Sequence, residues 1–198
     1  MILLTRRKRK DSCNCMNRKR KMSFVLFGIF VLILGIMMFS LKEWEMENEQ
    51  IEEMTRISAP EFEGKTKEGQ KIDDSIFIKK VTLVHFWATW CAPCTKELPE
   101  VVSFVSSYQN SDFQLLLVSL DENWSEAESF LKKIKLPQNT ISILDPEQRV
   151  SEKFGSYQYP ESYVVDQKAD IVAKWIGPQQ WNHPFFSQTI TKITNRVK

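Results

Sequence analysis

Histidine is almost absent from these 198 residues, which hold only His85 and His183, and methionine disappears after Met54. Without a His-rich or Met-rich stretch, the later part of the chain lacks the ligands that usually gather around soft or borderline metal ions. An oxidising surrounding accounts for the missing methionines, since the thioether is oxidised there, and so does chance. Cysteine is scarce too: Cys13 and Cys15 lie early, Cys91 and Cys94 later. Neither pair has the further ligands nearby that a zinc site needs. The early pair reads as reduced spectators, with palmitoylation or metal binding as alternatives. The later pair can close only one short loop, which excludes a disulfide framework and staples little. Internal repeats and low-complexity tracts are missing as well, so the length leaves room for one ordinary domain and an appendage.

Charge is missing from residues 23–41, SFVLFGIFVLILGIMMFSL. The run is close to the roughly 20 residues that a hydrocarbon core requires. It is long for the apolar part of a signal peptide, and Ser40-Leu41-Lys42 offers no small-residue cleavage site, so the expectation is one transmembrane anchor. Nine Lys and Arg precede it against the single Asp11, a balance of +8, while six glutamates follow between Glu43 and Glu53. A basic flank marks the cytoplasmic side, which places everything beyond Leu41 outside the membrane. The expected organisation is a basic cytoplasmic tail (1–22), a signal anchor (23–41), an acidic stalk (42–57) and an extracytoplasmic domain (58–198). Beyond the tail, 18 basic and 24 acidic residues remain, a balance of −6. The whole-chain pI of about 8.3 therefore averages two opposite parts, and a nucleic-acid partner finds no support.

Within the domain, Phe62 to Ile72 around Glu68-Gly69 reads as a hairpin. Val81 to Trp87 and Phe113 to Leu120 are apolar runs of the kind found in strands covered on both faces. Thr95 to Asn110 carries Leu98, Val101, Val102 and Val105 at helical spacing, with Pro99 as an expected kink. A helix from Ser125 to about Ile134, a strand at Ile141 to Leu144 and a short helix within Pro146 to Phe154 follow. Strands at Ser162 to Val165 and Ile171 to Ile176 flank a turn at Asp166–Asp170, and a last helix starts near Pro184, with His183 at its entry. This alternation implies a three-layer α/β sandwich with a mixed central sheet.

Cys91-Ala92-Pro93-Cys94 sits where the first strong strand gives way to a helix. Unpaired amides and the positive end of the helix dipole there favour the thiolate of Cys91, the reactive form of the group. Cys94, one turn further on, is placed to attack a mixed disulfide formed by Cys91, which makes the pair a candidate two-electron exchanger.

The run Phe86-Trp87-Ala88-Thr89-Trp90-Cys91-Ala92-Pro93-Cys94-Thr95-Lys96-Glu97-Leu98-Pro99 resembles the active-site signature of the thioredoxin superfamily. More narrowly it is similar to the membrane-anchored TlpA, ResA and CcmG branch. The likeness runs from Ala59-Pro60-Glu61-Phe62 to the C-terminus, and includes a helix-strand insertion and Leu144-Asp145 followed by Pro160. It implies a cis peptide before Pro160, set beside the C-x-x-C, with the backbone of Tyr159 free to pair with an extended substrate. It also implies a role for Glu97 close to the thiols, where a carboxylate raises a cysteine pKa and relays a proton; an exposed surface glutamate is the plain alternative. Glu161, following Pro160 as in cytochrome c maturation members, is a candidate for reading a substrate's positive charge or for capping a loop. Trp90 is expected to pack over the loop and line the substrate site.

His85 departs from the pattern, standing where thioredoxins commonly carry a buried aspartate. Alternation puts it on the same face as Leu83 and Trp87, beneath the active-site helix. It is either a proton acceptor for the resolving thiol or a neutral core histidine. Trp124, Trp175 and Trp181 read as packing residues.

The resulting expectation is a tethered disulfide reductase acting on partner proteins such as apocytochromes c, fed by a membrane thiol-electron transporter. It needs no cofactor or metal beyond its own dithiol. A copper(I) metallochaperone using the same thiols and a thiol peroxidase are the alternatives.

Overall fold

The structure, a computed structural model, describes residues 24, 26–39, 57–108 and 112–195. The chain divides into two compact units, residues 1–54 and 55–198. In the first, residues 26–39 are helical (α1) and every described side chain is exposed. Among the described residues no helix is long and apolar enough to cross a membrane. Ser23, Val25, Ser40 and Leu41 of the expected span lie outside the described residues, as do the basic tail 1–22 and stalk residues 42–56.

The second unit runs β1 (Ile57–Ser58), β2 (Glu63–Lys65), β3 (Lys71–Asp73), a 3-10 turn (Asp74–Phe77), β4 (Val81–Trp87) and α2 (Ala92–Ser106). Then come β5 (Phe113–Ser119), α3 (Trp124–Leu131), β6 (Thr140–Leu144), α4 (Arg149–Lys153), β7 (Glu161–Val165), β8 (Asp170–Ile176) and α5 (Pro184–Asn195). Six strands form one sheet in the order β1-β8-β7-β4-β5-β6, and β2 and β3 pair separately as the expected hairpin. β4, β5 and β6 are parallel, whereas β7, β8 and β1 join antiparallel, so the sheet is mixed. Ile57 pairs with Ile171, which draws the last residue of the expected stalk into the fold.

All seven residues of β4 and of β5 are buried, because each strand has neighbours on both edges and covering layers on both faces. Their register puts Val81, Leu83, His85 and Trp87 on one face with Phe113, Leu115, Leu117 and Ser119. That face lies under the helices: Phe113 meets Phe104 of α2 at 6.4 Å and Trp87 meets Phe130 of α3 at 5.7 Å between ring centroids. Right-handed crossovers between successive parallel strands keep α2 and α3 on the same side. On the opposite face, Phe86 packs against Phe154 at 5.5 Å, and Phe154 in turn touches Phe62 and Phe77. The hairpin seats on β6 at Gly64, where a Cβ would come within 2.7 Å of Ile143 Cδ1. Three layers follow, as the alternation of elements predicts.

α2 begins at Ala92 rather than Thr95, which brings the C-x-x-C into its first turn. Pro93 fits there because its missing N–H would be unpaired anyway. Pro99 lies inside the helix instead of ending it.

Candidate active site

Cys91 stands at the top of the sheet, where the chain leaves β4. The loop that delivers it is tied to the end of β5 by the buried carboxylate of Asp121. Oδ1 of that group accepts from the Thr89 amide (2.9 Å) and hydroxyl (2.6 Å), and Oδ2 accepts from Ser119 Oγ (2.7 Å). Cys91 is the N-cap of α2, its sulfur accepting from the Cys94 amide at 3.3 Å. The same donor and the helix dipole stabilise a thiolate when the bond to Cys94 is open. Cys91 and Cys94 form a disulfide, with Cα atoms 5.2 Å apart. Cys91 is 7% exposed and Cys94 0%, so the little exposure that the pair has belongs to the first cysteine.

The peptide between Tyr159 and Pro160 is cis. It places the Tyr159 carbonyl oxygen 3.6 Å from Cys91 Sγ. In the disulfide this is a contact only, since the sulfur carries no proton; in the dithiol the Cys91 thiol is placed to donate. The Pro160 carbonyl accepts from the Gly177 amide at 2.9 Å, anchoring the loop to the end of β8, where Gly177 takes φ 78°. Trp90 does not cover the loop. It is 62% exposed, standing edge-on to the Tyr159 ring at 6.2 Å, and so forms an open apolar wall beside Cys91.

Glu161 is turned inward. Its Oε1 lies 2.8 Å from Lys174 Nζ, which also sits 5.0 Å over the Tyr163 ring and donates to the Gly155 carbonyl at 3.3 Å. Burial pulls the Lys174 pKa down, but Glu161 and Tyr163 together outweigh it and raise the pKa. The charge offered by the sequence for reading a substrate is therefore already met within the chain.

His85 lies on the α2 face, as alternation predicts, and is completely buried. Nδ1 is 2.8 Å from Ser162 Oγ on β7, its register partner, while Nε2 has no partner among the described residues. Burial pushes its pKa from 6.5 down to about 3, so the ring is neutral at ordinary pH. Because the unfolded chain takes up this proton and the folded one does not, stability from His85 is full above about pH 6.5 and is lost as pH falls toward about 3. We expect a loss of about 3 kcal/mol between pH 7 and pH 4 from this group. Denaturant unfolding at the two pH values checks it: His85→Asn flattens the difference, and an unaltered difference would contradict the assignment.

Glu97 is buried on α2, 4% exposed, which disposes of the surface-glutamate alternative. Its Oε1 accepts from the Trp181 indole N–H, and its Oε2 has no hydrogen-bond partner among the described residues. Burial raises its pKa above the usual carboxylate range, although Trp181 and the Gln179 amide act the other way. Three-residue spacing on a helix sets Glu97 beside Cys94.

The sequence reading missed Asp121, Ser162, Lys174 and the polar end of Trp181. Ser162 was accessible from pairing His85 with the strand opposite; the other three meet their partners across loops or sheets that no local pattern joins.

The AhpC/TSA family model matches residues 56–174. Sporulation thiol-disulfide oxidoreductase A of Bacillus subtilis is 31% identical over 156 residues, covering 77% of this chain and 90% of that protein. Thiol-disulfide oxidoreductase ResA of Bacillus cereus is 26% identical over 163 residues, covering 80% of this chain and 91% of its own length. Among solved structures, a thiol:disulfide interchange protein DsbE from Chlorobium tepidum superimposes with a TM-score of 0.63 at 24% identity, over 71% of this chain and 97% of that one, a likeness of fold. With a thioredoxin-like sandwich and a C-x-x-C disulfide at the start of α2, the chain belongs to the AhpC/TSA family and is a thiol-disulfide oxidoreductase.

Proposed function

We propose that the chain is a membrane-tethered, extracytoplasmic reductase of disulfides in partner proteins, with apocytochrome c haem-attachment cysteines as the leading substrate. The observation that carries the reading is the inequality of the two cysteines, Cys91 keeping a slight exposure and Cys94 none. In the dithiol form the Cys91 thiolate attacks a substrate disulfide, forming a mixed disulfide and releasing one substrate thiolate. Cys94 then attacks Cys91 Sγ, the bond to the substrate breaks, and the second substrate sulfur leaves. Two electrons have passed to the substrate, and the enzyme is left with its Cys91–Cys94 bond closed. Tyr159 supplies main-chain pairing and Trp90 an apolar wall, which suit an extended segment with little side-chain selection. The charge-free run 23–41 and the basic residues before it support the tether and its orientation. Regeneration then calls for a membrane thiol-electron transporter, and no cofactor beyond the dithiol is required. The named relatives favour disulfide exchange over copper(I) delivery or peroxide reduction.

The test offers reduced full-length chain an oxidised C-x-x-C-H peptide and, separately, oxidised glutathione. We expect the peptide to be reduced with one enzyme disulfide formed per peptide, faster than glutathione. No transfer to the peptide, or equal rates for the two, would contradict the proposed substrate class.

A further inference from the structure

The layer between the sheet and helices α2 and α5 holds a polar group whose position the exchange reaction alone does not explain. Register sets His85 opposite Ser162 and Ser162 opposite Trp175, so β4, β7 and β8 all send side chains into this layer. Trp181, between β8 and α5, closes it from the side. Its ring is 1% exposed and wedged against Phe186 (4.7 Å), Phe104 (5.4 Å) and Trp175 (5.7 Å). Packing of this kind needs only the ring. The indole N–H, however, donates to Glu97 Oε1, whereas the equally buried Trp87 leaves its own indole nitrogen without a partner among the described residues. A buried orphan indole is thus tolerated elsewhere in the fold, and the Trp181 bond is a particular arrangement.

We propose that Trp181 is a positioning residue for thiol exchange: its indole N–H pins one oxygen of Glu97, leaving the buried, unpartnered Oε2 to exchange the proton of Cys94. The proposal rests on the disulfide-exchange reading above. In the resolving step the Cys94 thiol gives its proton to Oε2 and the thiolate attacks Cys91 Sγ. The Cys94–Cys91 bond forms as the Cys91–substrate bond breaks, and the substrate sulfur leaves as a thiolate. Glu97 then returns the proton to that leaving group, so protons and electrons balance. A carboxylate held by the Trp181 indole as well as the Gln179 amide keeps its other oxygen in place through the cycle; one held by the amide alone has more freedom to rotate.

The groups around Glu97 set the sign of the effect. Burial favours its neutral form, and Glu100 on the same helix adds to this; the Trp181 indole and the Gln179 amide favour the carboxylate. His85 on β4 is neutral and bonded to Ser162, and Cys94 lies three residues before Glu97 on α2. Removing the indole donor therefore raises the proton affinity of Glu97 further.

Trp181→Phe keeps the ring and deletes the donor. We expect the pH profile of the resolving step, followed in the full chain by rapid mixing with a mixed-disulfide substrate, to move up by about one unit, about a tenfold loss of rate on the acid side. Glu97→Gln should remove that limb. A Trp181→Phe profile that superimposes on the parent overturns the proposal. A second measurement needs no substitution: in the unaltered chain, the Trp181 indole N–H resonance should titrate with the same midpoint as the Glu97 carboxyl carbon. An indole signal that does not move overturns the proposal even where the variant fails to fold. If the unaltered chain exchanges no disulfide at any pH, the exchange reading itself fails and takes the proposal with it.

Discussion

Cys91→Ser is expected to abolish disulfide exchange, lowering the rate by at least about a thousandfold, because the attacking sulfur is the one group with no substitute. Cys94→Ser should behave differently. Cys91 remains able to attack, since its activation comes from the Cys94 backbone amide and the helix dipole rather than from the Cys94 side chain. Resolution is lost, so the variant should accumulate as a covalent adduct with its substrate. Mass spectrometry of alkylated protein separates the two outcomes: an adduct for Cys94→Ser and none for Cys91→Ser. An adduct through Cys94 in the Cys91→Ser chain would reverse the assignment, and the complete burial of Cys94 argues against it.

The second large effect is expected at Asp121, which touches neither sulfur. Its carboxylate, buried completely, takes hydrogen bonds from the Thr89 amide and hydroxyl and from Ser119 Oγ. Asp121→Ala strands three donors at the junction of β4 and the active-site loop, each costing about 1–3 kcal/mol when buried without a partner. Partial hydration of Thr89 at the surface reduces the sum, and we expect about 3–4 kcal/mol of lost stability. The loop that carries Cys91 then loses its tie to β5, so exchange should slow as well. Denaturant unfolding with a parallel exchange assay checks both, and a change in stability below about 1 kcal/mol would mean that the loop is held by other contacts.

Much of this site was legible because its signals are local. The apolar runs that became β4 and β5 announce strands covered on both faces, and C-x-x-C at the strand end fixes the place of the chemistry. Alternation along β4 sufficed to turn His85 toward α2. The cis bond before Pro160 came from family likeness, since local sequence argues against any given X-Pro bond being cis. The fate of the acidic residues was not legible at all. Spacing left Glu97 divided between surface and site because its partner Trp181 lies 84 residues away, and Glu161 gave no sign of Lys174 across the β7–β8 pair. β1 was missed because two residues carry no period, and only pairing with β8 makes them a strand. Trp90 was expected to shield the loop, yet a tryptophan beside a reactive cysteine is as useful exposed, where it meets the partner rather than the core.

The most direct test of a reversible dithiol that works as a reductant is a redox titration of the full chain, with Cys91 and Cys94 followed by alkylation at each potential. The account predicts one two-electron transition near the thioredoxin value of about −270 mV. A midpoint near −120 mV, in the range of a strong protein oxidant, or thiols that do not interconvert across the range, would contradict it.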